Sequence, residues 1–218
     1  ATEHATALYN ELRTSYPDHL PVHTAMLTSL DSPEARRLLP HDDLSESAIS
    51  FSDQIIDVAD KVISAIDQEK LLAFYGLKHD QRPDASKIKS TMDKQKNLLI
   101  EALVKKGCAY ARLYIHTRKR GETEASMHLS TVTQIWNDVQ KFTEATDNKV
   151  LILSLWHAHI NKHYGRYLKL LNRYYEDKPL RDIDERIVEI TKTVGWDHWA
   201  KYISTSIPTR FPRAYRPF

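Results

Sequence analysis

Asp147 to Pro179 reads DNKVLILSLWHAHINKHYGRYLKLLNRYYEDKP, and the patterning of this stretch decides the fold. From Val150 to Ile160 it is apolar nearly all round, the composition of a helix enclosed by other helices. Beyond that, Tyr164, Tyr167, Leu168, Leu171, Tyr174 and Tyr175 recur at helical spacing and form one apolar stripe. Arg166, Lys169, Asn172, Arg173 and Glu176 take the opposite, wet face. Asp147 stands where a carboxylate accepts the free N–H groups of an opening turn. Pro179 ends the second helix, because the residue before a proline is pushed out of the α region. Gly165 predicts the pivot at which the two helices fold back on each other. The stretch is a helical hairpin, a scaffold pattern that by itself names no activity.

The same pattern extends outward in both directions. A first helix is expected from Glu3 to Tyr16, capped by Thr2, with Ala5, Leu8, Tyr9 and Leu12 inward. Leu20 to Leu30 follows, with Pro21 in its first turn where the missing N–H costs nothing and Val22, Met26, Leu27 and Leu30 on its apolar side. Ser32-Pro33-Glu34 opens a short helix that Pro40 closes. Asp43 and Glu46, at capping-box spacing, open a long helix to about Ile66 that buries Ile55, Ala59, Val62, Ile63 and Ile66. Asp67 caps the next helix, which carries Leu71, Leu72, Phe74 and Tyr75. Asp84 caps another, Ala85 to Lys106, with Ile88, Met92, Leu99 and Leu103 inward. Gly107 breaks that run, and Cys108 to about Thr117 forms the return helix. Arg118 to Glu122 is an exposed connection. Ala125 to Thr143 is helical through Leu129, Val132, Ile135, Trp136, Val139 and Phe142. Leu180 to Val194 and Trp196 to about Ser204 make a last pair, with Ile183, Ile187, Ile190 and Trp199 buried.

The fold class is therefore all-α. Antiparallel helix pairs joined by short turns are expected to stack into a right-handed superhelix of the tetratricopeptide kind. Gly165, Tyr167, Leu170 and Tyr174 sit at the offsets of such repeats, while the Trp and Leu-Gly positions of the first helix are unfilled. No linker-like segment divides the chain internally, so residues 1–206 are read as one domain. Residues 207–218 are an extended tail whose three prolines exclude a helix. In that tail Arg210, Phe211, Arg213, Tyr215, Arg216 and Phe218 are the candidate interaction residues: three aromatic anchors and three charges that favour docking on a neighbour over fraying.

Among 218 residues there are only five glycines and one cysteine. Cys108 cannot form an internal disulfide, which suits a reducing, cytoplasmic setting. No apolar run approaches the roughly 20 residues that span a bilayer. The opening ATEHATAL has neither a signal-peptide pattern nor an initiator Met, and the chain is expected to be a piece of a longer one. A formal net charge of +2 hides an asymmetry. Up to Asp80 there are 14 acidic and 6 basic residues, and from Gln81 there are 15 and 25. Opposite ends of this kind suit partner surfaces. The cations are spread along helix faces with no Arg/aromatic groove, so a nucleic-acid partner is not expected.

Three features invite chemistry. His157, His159 and His163 suggest a metal, but only His159 and His163 share a helix face, and Ile160 stands where a zinc-protease pattern needs Glu. A partly buried, hydrogen-bonded pair is the reading adopted, with no metal and no cofactor. Cys108, at the start of its expected helix beside Lys105 and Lys106, has surroundings that lower a thiol pKa. A nucleophile also needs a paired base and an oxyanion hole, and neither is indicated. No serine sits in a Gly-X-Ser-X-Gly setting, and no glycine-rich phosphate loop is present. The tyrosine stripe suits a peptide groove, but more often such a stripe is core. No catalytic residue is assigned.

Several strings then read together. They are Leu8-Tyr9-Asn10-Glu11-Leu12 with Tyr16-Pro17; Arg82-Pro83-Asp84-Ala85, Ile88-Lys89, Met92-Asp93-Lys94-Gln95-Lys96, Leu99-Ile100 and Lys106-Gly107-Cys108-Ala109; and Asp147-Asn148-Lys149-Val150-Leu151, Asn161-Lys162, Tyr164-Gly165-Arg166, Leu168-Lys169, Lys178-Pro179, Gly195-Trp196 and Phe218. Together they resemble the C-terminal helical region of the tripeptidyl-peptidase II family of giant cytosolic subtilisin-type serine exopeptidases. The resemblance implies a parent enzyme that releases tripeptides from free N-termini of oligopeptides, including those left by the proteasome. It also implies subunits that assemble into large homo-oligomeric strands. The family's Asp, His and Ser belong to an upstream domain and carry over to no position here. The connection from Arg118 to Glu124 is shorter than in the family, and Ser32 to Ser50 differs. The expected role is a non-catalytic scaffold that contacts the upstream domains of its own polypeptide and supports homo-oligomer assembly. The alternative is an adaptor that binds another protein or a substrate peptide.

Overall fold

Amphipathic spacing becomes helix throughout a computed structural model that describes residues 2–15, 19–30, 46–77, 86–121, 123–144 and 147–175. The described helices are α1 (Thr2–Ser15), α2 (Leu20–Leu30), α3 (Glu46–Ser64), α4 (Gln68–Gly76), α5 (Ser86–Arg120), α6 (Ala125–Gln140), α7 (Leu151–Ile160) and α8 (Tyr164–Tyr175), with a 3-10 turn at Asn148–Val150. No strand occurs among the described residues. The fold is all-α, as its sequence implies. The short helix after Ser32, the Asp43 and Asp84 caps, the pair from Leu180 and the tail lie outside the described residues.

The chain divides into two compact units, Ala1–Arg37 with Leu44–Leu153, and Leu38–Asp43 with Ser154–Phe218. The first unit is organised on α5, which packs against α3, α4 and α6, while α2 packs on α3 and α1 on α2. Its α3 buries Ser52, Ile55, Val58, Ala59 and Val62 at three- and four-residue spacing. Asp67 caps α4 as expected, its Oδ1 accepting the Lys70 N–H at 2.9 Å. The Asp147 carboxylate accepts the Lys149 N–H at 2.9 Å and the Thr143 hydroxyl at 2.9 Å, fixing the entry to the 3-10 turn.

Gly107 does not break a helix. It lies inside the continuous 35-residue α5, so the expected return helix at Cys108 is the second half of the same rod. Glycine serves close approach here. A Cβ at this position would stand 2.6 Å from Leu153 Cδ1 and 3.2 Å from Ile135 Cγ2. The reversal comes at Gly121, whose φ of 70° glycine adopts without the strain a side chain would bring. Gly107 and Ile135 lie equally far before and after it, as residues facing each other across an antiparallel hairpin do.

Some inward assignments shift. Leu8 is 50% exposed and Ile88 is 42% exposed, whereas Tyr9 and Met92 beside them in the pattern are buried. Leu8 sits one step off the packed line that Tyr9 marks, whereas Ile88 is on the line of Met92 but lies in the first turn of α5, one turn before the first buried residue. Two histidines that the pattern passes over are buried. His23 shares a 2.9 Å hydrogen bond with the Tyr9 hydroxyl across α1 and α2, and the ring of His128 lies 5.7 Å from that of Tyr110 across α5 and α6. Arg112 is buried as well, its Nε reaching Ser52 Oγ at 3.5 Å. No helix of the described residues is long and apolar enough to cross a membrane.

Candidate functional site

The histidines and tyrosines concentrate on the α7–α8 hairpin. From Ser154 onward α7 is buried almost all round, with Leu155, Trp156, His157, Ala158 and Ile160 enclosed and only His159 half-buried, as its unbroken apolar composition requires. The helix ends in a Schellman motif. Lys162 has φ 57°, its N–H donates to the His159 carbonyl at 3.0 Å, and the His163 N–H reaches back to the Ala158 carbonyl at 2.8 Å. The turn therefore lies before α8, not at Gly165. Gly165 is exposed in the first turn of α8, and a Cβ there would meet nothing within 4 Å.

A left-handed lysine is strained, because its Cβ crowds the following carbonyl. Lys162→Gly is accordingly expected to stabilise the chain by about 1 kcal/mol, less the added freedom of the unfolded backbone. A urea titration checks this, and an unchanged or lower midpoint would count against it.

The same turn regroups the histidines. His159 and His163 do not share a face, because the helix ends between them and His163 folds back one turn earlier. The rings that meet are His157 and His163, with centroids 6.2 Å apart, while His159 faces Tyr167 at 5.8 Å. His157 is 7% exposed, and its pKa is lowered from 6.5 to about 4, first by burial and then by the positive charges of Arg166 and His163. Burial and the Arg166 guanidinium thus favour a neutral imidazole at His157, and that fixed positive charge also penalises a metal ion beside it. Among the described residues no three His, Cys, Asp or Glu side chains gather closely enough to hold a metal.

Cys108 is buried in the interior of α5 and does not stand at a helix start. In the tyrosine stripe, Tyr167 and Leu171 are fully buried with Leu170 beside them, and Tyr174 is half-buried. Tyr167, Leu170 and Leu171 are core. The six tail residues from Arg210 to Phe218 lie outside the described residues.

Fold and residues thus define a class: an all-helical segment whose chemistry-bearing side chains are mostly absorbed into packing. The family model "Tripeptidyl peptidase II, C-terminal" matches residues 1–40. Similarity to proteins named tripeptidyl-peptidase 2 runs much further. The Drosophila melanogaster protein is 34% identical over 99% of this chain and 16% of its own length, and the Oryza sativa protein is 26% identical over 98% and 15%. A crystal structure of tripeptidyl peptidase 2 matches all of this chain and 19% of its own, with a TM-score of 0.66 and 33% identity. The chain belongs to the tripeptidyl-peptidase II family, as its C-terminal helical region, and spans about a sixth of the length of these curated relatives.

Proposed function

We propose that this chain is the non-catalytic C-terminal scaffold of a tripeptidyl-peptidase II-like serine protease, one that releases tripeptides from free N-termini of oligopeptides in the cytoplasm. The observation that carries the reading is coverage: relatives with that name match 99% of this chain but only 16% of their own length, which leaves most of the protease elsewhere. The scaffold buttresses the upstream domains through stacked, tetratricopeptide-like helix pairs. It also helps subunits associate through its oppositely charged ends and the tail from Ile207 to Phe218. A negative N-terminal part of about −8 and a positive remainder of about +10 suit head-to-tail contact, the kind of interface that builds open strands.

The test compares assembly size of the full-length enzyme with and without residues 207–218, by sedimentation at low and at raised salt. Smaller assemblies on deletion, and a further shift to small species in salt, are expected because exposed charges lose their reach as the Debye length contracts. Assembly unchanged in both comparisons would overturn the association role. Unchanged assembly with loss of a bound foreign protein would favour the adaptor reading.

A further inference from the structure

The connection between α5 and α6 sets an exposed hydroxyl behind a run of cations. Arg118, Lys119 and Arg120 are exposed in the last turn of α5, where positive charge complements the helix dipole. Gly121 reverses the chain, and Thr123 follows, exposed, in the turn before α6. On the helices, threonine hydroxyls fold back onto the carbonyl one turn earlier: Thr14 on Asn10, Thr28 on Thr24, Thr91 on Lys87 and Thr131 on Met127. Thr123 differs. Its carbonyl accepts the Ser126 hydroxyl at 3.2 Å, but its own hydroxyl makes no hydrogen bond among the described residues.

We propose that Thr123 is a phosphorylation site for an arginine-directed protein kinase. Counted back from the acceptor, Arg120 stands at the third position and Arg118 at the fifth, a spacing that acidic pockets flanking a kinase substrate groove read by charge. Other kinase classes lack their cue. A proline-directed enzyme meets Glu124 directly after the acceptor, and an acid-directed one meets Ser126 three residues beyond it. The nearby Thr117 is buried, and its hydroxyl is committed to the Leu113 carbonyl at 2.8 Å.

In the step itself, Thr123 Oγ1 attacks the γ-phosphorus of ATP. The new O–P bond forms as the bond from that phosphorus to the β–γ bridging oxygen breaks, ADP departs, and the hydroxyl proton passes to the kinase's base. The fold tolerates the product. The first turn of α6 has no acidic residue and Glu124 at its N-cap makes no side-chain cap bond, so the positive helix end and the cations Arg118, Lys119 and Arg120 offset the repulsion that the sequence neighbours Glu122 and Glu124 bring to a phosphate on Thr123.

The test incubates the folded full-length protein with protein kinase B and ATP and maps phosphate by tandem mass spectrometry. Phosphate is expected on Thr123, absent in Thr123→Val, and incorporated roughly tenfold more slowly in an Arg118→Gln/Arg120→Gln double variant whose helicity matches wild type. The proposal is overturned if Thr123 stays unmodified, if the double variant reacts at the wild-type rate, or if Thr123 reacts only after the protein has been heat-denatured.

Discussion

Gly107→Ala is expected to destabilise the chain by about 1 kcal/mol and Gly107→Val by about 3 kcal/mol, although both replace the residue least suited to a helix interior other than proline. Two effects oppose each other. Alanine in mid-helix is favoured over glycine by about 1 kcal/mol. Against this, the added Cβ would stand 2.6 Å from Leu153 Cδ1 and 3.3 Å from Leu153 Cδ2, with Ile135 Cγ2 at 3.2 Å. Leu153 is fully buried and Ile135 nearly so, so neither can swing into solvent, and overpacking of this kind costs about 1–3 kcal/mol. Leu153→Ala supplies the control. Alone it should cost about 2–5 kcal/mol by leaving a cavity, but combined with Gly107→Ala the total should fall short of the sum by about 1–2 kcal/mol, because the new methyl occupies part of the space vacated. Urea titrations of the four proteins decide it. A higher midpoint for Gly107→Ala would mean that helix propensity wins and that Leu153 yields.

Gly107 also shows where reading the sequence reaches its limit. Glycine has two uses, freedom at positive φ and the absence of a side chain, and composition does not say which one a position exploits. Gly121 uses the first and Gly107 the second. Gly165 uses neither conspicuously, while the turn assigned to it is made by Lys162, a residue with no local signal for the left-handed region. That conformation belongs to the Schellman turn closing α7, in which the Lys162 and His163 N–H groups bond the His159 and Ala158 carbonyls. By contrast, features governed by a single local rule were legible. Asp67 caps its helix, Asp147 closes its turn, and the periodic lines Met26-Leu27-Leu30, Val132-Ile135-Trp136-Val139 and Tyr167-Leu171 are buried.

The histidine cluster failed for the same reason as the turn. Placing His159 with His163 assumes that helical spacing continues through Lys162. Once the chain reverses there, the partner of His163 becomes His157. Buried His23 and His128 were illegible for a different reason. A histidine on a periodic line scores as polar, yet with a tyrosine ring beside it, as Tyr9 is to His23 and Tyr110 to His128, it packs as an aromatic, and His23 also shares a hydrogen bond with its tyrosine.

The regrouped histidines lead to the second large effect, a loss of stability in mild acid that belongs to His157. Its folded pKa, about 4, lies below the unfolded value near 6.5, with burial the first cause and the charges of Arg166 and His163 the next. Between those values the unfolded chain binds a proton that the folded chain refuses, so stability rises with pH across the window. The contribution is whole above about pH 6.5. It is lost as pH falls, by about 2 kcal/mol at pH 5 and about 3 kcal/mol once pH drops below 4. Carboxylates titrate at the lower end of this range, so the measurement is the difference between wild type and His157→Gln from pH 7 to pH 5, read from urea midpoints. The variant's curve should be flatter by about 2 kcal/mol over that interval. Parallel curves would remove His157 as the cause. Arg166→Gln separates the two origins: because burial ranks first, removing the guanidinium should recover only the smaller part of the loss, and full recovery would make the neighbouring charge the dominant effect.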